Sequence, residues 1–118
     1  SLPISKILEY RRKCDSIFAL SDFQVVEYAI WSRPEMFSMM ITPKSGNNMP
    51  SQESLGNLVD EVLILAQDMG GIMEYCHGIG VKLNHLIERD MGTSYQTIQL
   101  LKQSLDPAGI MNPGKLSL

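Results

Sequence analysis

After Pro3, apolar residues recur at helical spacing at Ile7, Leu8, Tyr10, Cys14, Ile17 and Phe18, while Glu9, Arg11, Arg12 and Lys13 take the other face. The spacing predicts a helix over about 5–19, with the proline at its entrance. The run Phe23 to Trp31 (FQVVEYAIW) is rich in β-branched and aromatic residues and predicts a strand. Ser32 to Glu35 has turn composition, and Met36 to Thr42 (MFSMMIT) predicts a second strand, paired with the first as a hairpin. Pro43 to Gln52 gathers Gly, Asn, Pro and Ser and predicts a loop. Helical spacing returns at Leu55, Leu58, Val59, Val62, Ala66 and Met69, and Gly70-Gly71 closes that helix. Ile72 to Tyr75 predicts a short strand, and a short helix over about 83–91 stops at Gly92. Thr93-x-x-Gln96 has the form of a capping box opening a last helix, carried by Ile98, Leu101 and Leu105 and stopped by Asp106-Pro107. The tail AGIMNPGKLSL reads as a turn-rich extended segment.

The predicted order is helix, strand, strand, helix, strand, then two helices, with no internal repeat. Such an order packs as α+β, with helices on one face of a mainly antiparallel sheet. It matches a ferredoxin-like partial domain, the last two-thirds of βαββαβ without its first strand, followed by C-terminal helices. In that fold the first strand lies between the third and the fourth. Its absence leaves open edges that invite pairing with another chain, and we expect a homodimer or larger homo-oligomer.

At 118 residues the chain is expected to form a single domain, 1–118. Apolar residues make up 44%, enough for a packed core. A net charge of -3, with 10 basic and 13 acidic residues, argues against a nucleic-acid surface. The basic cluster Arg11-Arg12-Lys13 reads as a solvated helix face. Cys14 and Cys76 form neither a C-x-x-C pair nor a disulfide framework, and two free thiols fit a reducing, cytoplasmic setting. No apolar run approaches the roughly 18 residues of a membrane span. The start SLPISK has no signal-peptide pattern and opens in mid-phrase, which suggests a piece of a longer protein.

The chemistry concentrates in EYCHGIG, residues 74–80. A lone histidine is usually a surface or satisfied core residue, but His77 follows a predicted strand and precedes two glycines. Gly78 and Gly80 permit positive φ and close approach, and a strand-turn-helix can aim N–H groups at an anion. As a phosphate loop the stretch is weak, because Leu83 stands where the dinucleotide fingerprint has its third glycine. A tight bend that merely packs Ile79 competes with it. Cys76 and His77 would point to opposite faces of a strand, so a thiolate–imidazole nucleophile is not indicated, whereas Glu74 and Cys76 could share a face. His85 reads as surface or boundary packing. Asn112-Pro113-Gly114-Lys115 is either a terminal turn or a clasp presenting the Asn112 amide and Lys115 ammonium to a partner domain. The eight methionines read as adaptable core filler.

Three segments then stand in order: His77-Gly78-Ile79-Gly80, Leu86-Ile87-Glu88-Arg89-Asp90-Met91-Gly92, and Leu105 through Leu116 (LDPAGIMNPGKL). They resemble the end of FAD-linked oxidases of the D-lactate dehydrogenase and glycolate oxidase type, which reads roughly E-H-G-I-G, L-E-R-E-x-G and L-D-P-x-G-I-x-N-P-G-K-L. The likeness is densest from about 70 to 118. Leu2 to Ile7 also resembles the P-x-S-x-L segment that opens the second half of that family's C-terminal domain. The resemblance implies that an N-terminal domain of the parent protein holds FAD, while this part caps the flavin and shapes a pocket for a 2-hydroxy acid. It implies His77 as the active-site histidine that handles the substrate hydroxyl, a task that suits an imidazole titrating near neutrality. It implies Asn112 and Lys115, with Gly78 and Gly80, beside the flavin. Many relatives hold a divalent metal through H-x-G-D-G-N-L-H on the hairpin and the Glu before H-G-I-G. Here Trp31 and Ser38 fall at the histidine positions and Cys76 at the glutamate, so no metal is expected. Arg33 and Lys82 are candidates to bind a carboxylate instead. The piece alone is expected to be inactive. The competing reading is a non-catalytic ferredoxin-like binding or dimerisation module.

Overall fold

Helix α1 spans Ile7–Leu20, led in by a 3-10 turn at Ile4–Lys6, in the computed structural model, which describes residues 1–45, 49–74 and 77–118. Its buried residues Ile7, Tyr10, Cys14 and Phe18 recur three or four apart and form one stripe. The charged residues predicted for the other face are exposed there, with Lys13 paired to Glu9 at 2.9 Å. The end of α1 is closed from a distance: the Lys44 ammonium donates to the carbonyls of Phe18 (2.9 Å), Ala19 (3.2 Å) and Ser21 (2.6 Å). A cation suits that site because it meets the unpaired carbonyls and the negative end of the helix dipole.

Strands β1 (Phe23–Ile30) and β2 (Phe37–Pro43) pair antiparallel, with Phe23 opposite Pro43 and Ile30 opposite Phe37. A bulge between Val25 and Glu27 shifts the register by one residue. Helix α2 spans Gln52–Asp68, three residues earlier than the first apolar position the pattern used. Ser51 caps it, its hydroxyl accepting the Ser54 N–H at 3.0 Å. At the other end Gly71 N–H donates to the Ala66 carbonyl at 2.8 Å and Gly70 N–H to Gln67 at 3.0 Å. That pair of bonds is a Schellman closure, with Gly70 at φ +82 where an L side chain would be strained.

The core of this first compact unit, residues 1–75, joins Leu2, Ile7, Tyr10, Cys14, Phe18 and Phe23 to Leu58, Val62 and Ala66 of α2. Phe37, Met39 and Ile41 pack on it from β2. The buried Tyr10 hydroxyl donates to the Val62 carbonyl at 2.8 Å, so α1 and α2 are tied by a satisfied polar group inside the apolar core. Two helices on one face of an antiparallel pair is the expected α+β partial domain. The predicted third strand does not form over 72–74, and Tyr75 lies outside the described residues. Ile72 exchanges two main-chain hydrogen bonds with Ser1, but a strand needs a ladder of successive pairs along its length. The methionines divide: Met39, Met69 and Met73 serve the interior, whereas Met40, Met49 and Met111 stand exposed.

The second unit, residues 76–118, holds a 3-10 turn at Asn84–Leu86, helix α3 (Ile87–Met91), helix α4 (Ser94–Leu105) and a 3-10 turn at Lys115–Ser117. Leu86, Ile87 and Tyr95 are its buried apolar residues. Gly92, at φ +52, ends α3 as predicted. The capping box does not form: Thr93 already has helical angles and its side chain accepts no capping hydrogen bond. The Tyr95 N–H instead donates to the Gly92 carbonyl at 3.1 Å, because only two residues separate α3 from α4 and the chain turns through a continuous bend.

Candidate functional site

His77 is exposed, at a bend, and the two glycines after it both have positive φ, +74 at Gly78 and +60 at Gly80. A Cβ on either glycine would meet no atom within 4 Å. Their absence of side chain therefore serves conformation and access rather than packing, and the backbone beside the imidazole stays uncovered. The turn does not open a helix. Residues 78–83 stay in turns and bends, and α3 begins only at Ile87 after a 3-10 turn, so the N–H groups of Gly78 and Gly80 do not sit at a helix N-terminus. That removes the phosphate-loop reading of this stretch. The readings of Cys76, its free thiol and its place at the relatives' glutamate, lie outside the described residues.

The segment leading into the N-P-G-K turn is held by a residue that pattern reading passed over as a helix stop. Asp106 is buried, 7% exposed, and its carboxylate accepts the Ile110 N–H (3.0 Å), the Met111 N–H (2.9 Å) and the Lys102 ammonium (2.6 Å). Lys102 also donates to the Met111 carbonyl. The Lys102 ammonium, aided by the two amides, holds this carboxyl below its ordinary pKa even though burial opposes the charge. Gly109 at φ +64 lets the chain fold back over Asp106, and its N–H donates to the Asp106 carbonyl at 3.0 Å. An aspartate before a proline at a helix end, followed three residues on by glycine, was the available signal.

Asn112 emerges from this clasp exposed, at φ +50, in the left-handed region that asparagine tolerates better than most residues. Gly114 at φ +72 then turns the chain into the 3-10 turn that holds Lys115. Two side chains from earlier in the unit secure that turn. Asn84 donates its amide to the Gly114 carbonyl at 3.2 Å, and the buried Tyr95 hydroxyl lies 2.9 Å from the Leu116 carbonyl and 3.2 Å from that of Ser117. The structure thus brings Gly114 and Lys115 against the 3-10 turn that follows the His77 segment. Neither Asn84 nor Tyr95 stood out in the sequence, since a single polar group facing a distant carbonyl leaves no periodic trace.

On the hairpin of the first unit, the Trp31 indole N–H donates to the Ser38 hydroxyl at 2.8 Å. The two positions that the sequence resemblance set against histidines are therefore side by side across the turn. In this chain they carry an indole, which is a donor only, and a neutral hydroxyl, a poor ligand set for a divalent ion. Among the described residues no group of three or more His, Cys, Asp or Glu is arranged to hold a metal. Arg33 and Lys82, proposed for a carboxylate, are both exposed, one in each unit.

One α+β unit, and one helical unit in which an aspartate-pinned loop leads into the N-P-G-K turn, define a class. The chain belongs to the FAD linked oxidases, C-terminal domain, whose family pattern matches residues 1–116. Among its relatives is an uncharacterized FAD-linked oxidoreductase of Mycobacterium tuberculosis, found in two strains. It is 35% identical over 63 residues, covering 52% of this chain and 14% of that protein. A mitochondrial D-lactate dehydrogenase [cytochrome] of Arabidopsis thaliana is 33% identical over 79 residues, covering 66% of this chain and 13% of that protein. The chain therefore spans about one-seventh of the length of these relatives. No solved structure gives a significant match. Among the described residues no helix is long and apolar enough to cross a membrane.

Proposed function

We propose that this chain is the substrate-side cap of an FAD-dependent oxidoreductase that oxidises a 2-hydroxy acid of the D-lactate or glycolate type to the 2-keto acid. The observation that carries the reading is the exposed imidazole of His77 beside an uncovered glycine turn, in a chain of this family. FAD, bound mainly by an N-terminal domain of the parent protein, would accept the hydride from the substrate carbon. His77 would take the hydroxyl proton, so that the alcohol leaves one hydride and one proton behind as it becomes a ketone. The open backbone at Gly78 and Gly80 leaves room for a flat ring to approach within contact distance. Asn112 and Lys115, presented by the clasp, would meet the flavin or the seam between domains with an amide and an ammonium. Substrate carboxylate recognition would fall to a cation such as Arg33 or Lys82, because the metal positions hold Trp31 and Ser38.

The test is reunion with the upstream half of the parent protein. The joined protein should be yellow, and D-lactate or glycolate should bleach it. With His77→Ala the flavin should remain bound while bleaching slows by about two to four orders of magnitude, the range for losing a general base. A joined protein that never takes up flavin would refute the reading. The alternative, a non-catalytic binding or dimerisation module, draws on the exposed apolar residues Val26 and Met40 of the hairpin. It expects His77→Ala to change nothing beyond stability.

A further inference from the structure

Ser1 and Leu2 make the main-chain bonds of a central strand. Leu2 N–H donates to the Glu35 carbonyl at 3.0 Å, just ahead of β2. On the opposite side the Ser1 amino group donates to the Ile72 carbonyl and Ile72 N–H returns a bond to the Ser1 carbonyl, both at 2.8 Å. Successive residues turning to opposite neighbours is the ladder of a strand with a partner on each side. Gly71 makes room for it: a Cβ there would stand 2.5 Å from the Ser1 carbonyl oxygen and 2.8 Å from Leu2 Cδ1.

The rest of that lane is a groove of about 190 Å³, lined by Leu2, Met39, Ile41, Val59, Val62 and Ala66 among others. Its wall includes the edge of β2 turned away from β1. The Trp31 N–H donates to the Met36 carbonyl at 3.1 Å. By the alternation of an antiparallel ladder, Ser38 and Met40 then pair with β1, and Met39 and Ile41 turn their N–H and C=O groups toward the groove, as Phe37 turns its C=O, its N–H being bonded to the Glu35 carbonyl at 3.2 Å. An unfilled edge above an apolar floor is a template for one more strand.

The geometry points to one occupant: an extended segment of the parent polypeptide that enters beside Ile41, runs antiparallel to β2 and joins Ser1 directly. Its register follows from Leu2 opposite Glu35. The second, fourth and sixth residues before Leu2 stand opposite Phe37, Met39 and Ile41. Cross-strand neighbours share a face, and Leu2 is only 3% exposed, so those three residues point into the groove over α2 and must be apolar. A segment already joined at Ser1 closes no long loop, whereas a second copy of the chain must also give up the freedom lost on association. The relatives each have more than four-fifths of their length outside the matching part, so a segment of this kind has a source.

The experiment fuses Lys-Val-Thr-Val-Thr-Val directly before Ser1, which puts valine at the three inward positions. A second fusion, Lys-Thr-Val-Thr-Val-Thr, shifts the pattern by one residue. Amide hydrogen exchange is followed at Met39 and Ile41, with sedimentation alongside. The in-register fusion should be a monomer in which both amides exchange about tenfold or more slower than in the shifted fusion. Adding Gly71→Ala to the in-register fusion should abolish that protection, by pushing Ser1 out of line, while α2 amides stay protected. Folding of the in-register fusion alone would equally support the assignment. Equal exchange in the two fusions would overturn it, as would failure of both to fold. Protection that grows with protein concentration would overturn it too, by assigning the groove to a second copy.

Discussion

Asp106 shows how one side chain can set up several others. Its carboxylate gathers two amides and an ammonium, and Asn112 follows directly on the turn that this gathering creates. The linkage has a definite sign. The folded carboxyl has a lowered pKa, so the unfolded chain takes up the proton first as pH falls. The stabilisation is complete above about pH 4 and vanishes as pH falls through the folded group's own pKa. Asp106→Asn should therefore cost stability in urea unfolding at pH 7, and the gap to the parent chain should narrow toward pH 3. A gap that stays constant would show that the charge is not what binds the clasp. Cys14 is a contrasting residue. It is fully buried, and burial pushes its thiol up to about 11, so it belongs to the core and not to redox chemistry. Its membership of the helix stripe was legible in the sequence; the role of Asp106 was not, because two of its three partners are main-chain amides of the loop that follows, which no side-chain pattern marks.

The elements divide by how local their causes are. Both long helices and both strands of the hairpin follow from apolar spacing and β-branched runs, and the structure places them within a few residues of expectation. Their ends depend on single groups. Ser51 at one end of α2 and the Gly70-Gly71 closure at the other are local, whereas the Lys44 cap on α1 comes from across the sheet. Gly70 and Gly71 look alike in sequence but differ in kind. At Gly70 a Cβ would find only Pro3 Cγ at 3.9 Å, so Gly70→Ala should cost only the strain of its left-handed angle, about 1–2 kcal/mol. Denaturant titration should show that loss with no change in the slope. The predicted capping box failed for a related reason: a capping serine or threonine needs extended angles, and Thr93 sits in a bend already committed to helix.

For the molecule as a whole, an open edge on β2 leads to a concentration-dependent prediction. The 118-residue chain without any extension should self-associate through that edge, as a homodimer or larger assembly. Sedimentation velocity over a hundredfold concentration range checks it, and a sharp monomer throughout would speak against an accessible edge. The sequence by itself determined the α+β character, the helices and the hairpin, because hydrophobic period and turn chemistry act over a few neighbouring residues. It also marked His77, its glycines and the N-P-G-K turn as candidates, since those residue types stand as contiguous letters. Only the tertiary structure decided that 72–74 makes no strand, that Asp106 and Tyr95 secure the C-terminal turn, and that Trp31 meets Ser38. Each of these depends on which groups reach hydrogen-bonding distance once the chain has folded back and packed, and packing is a property of the assembled surfaces rather than of any stretch of sequence.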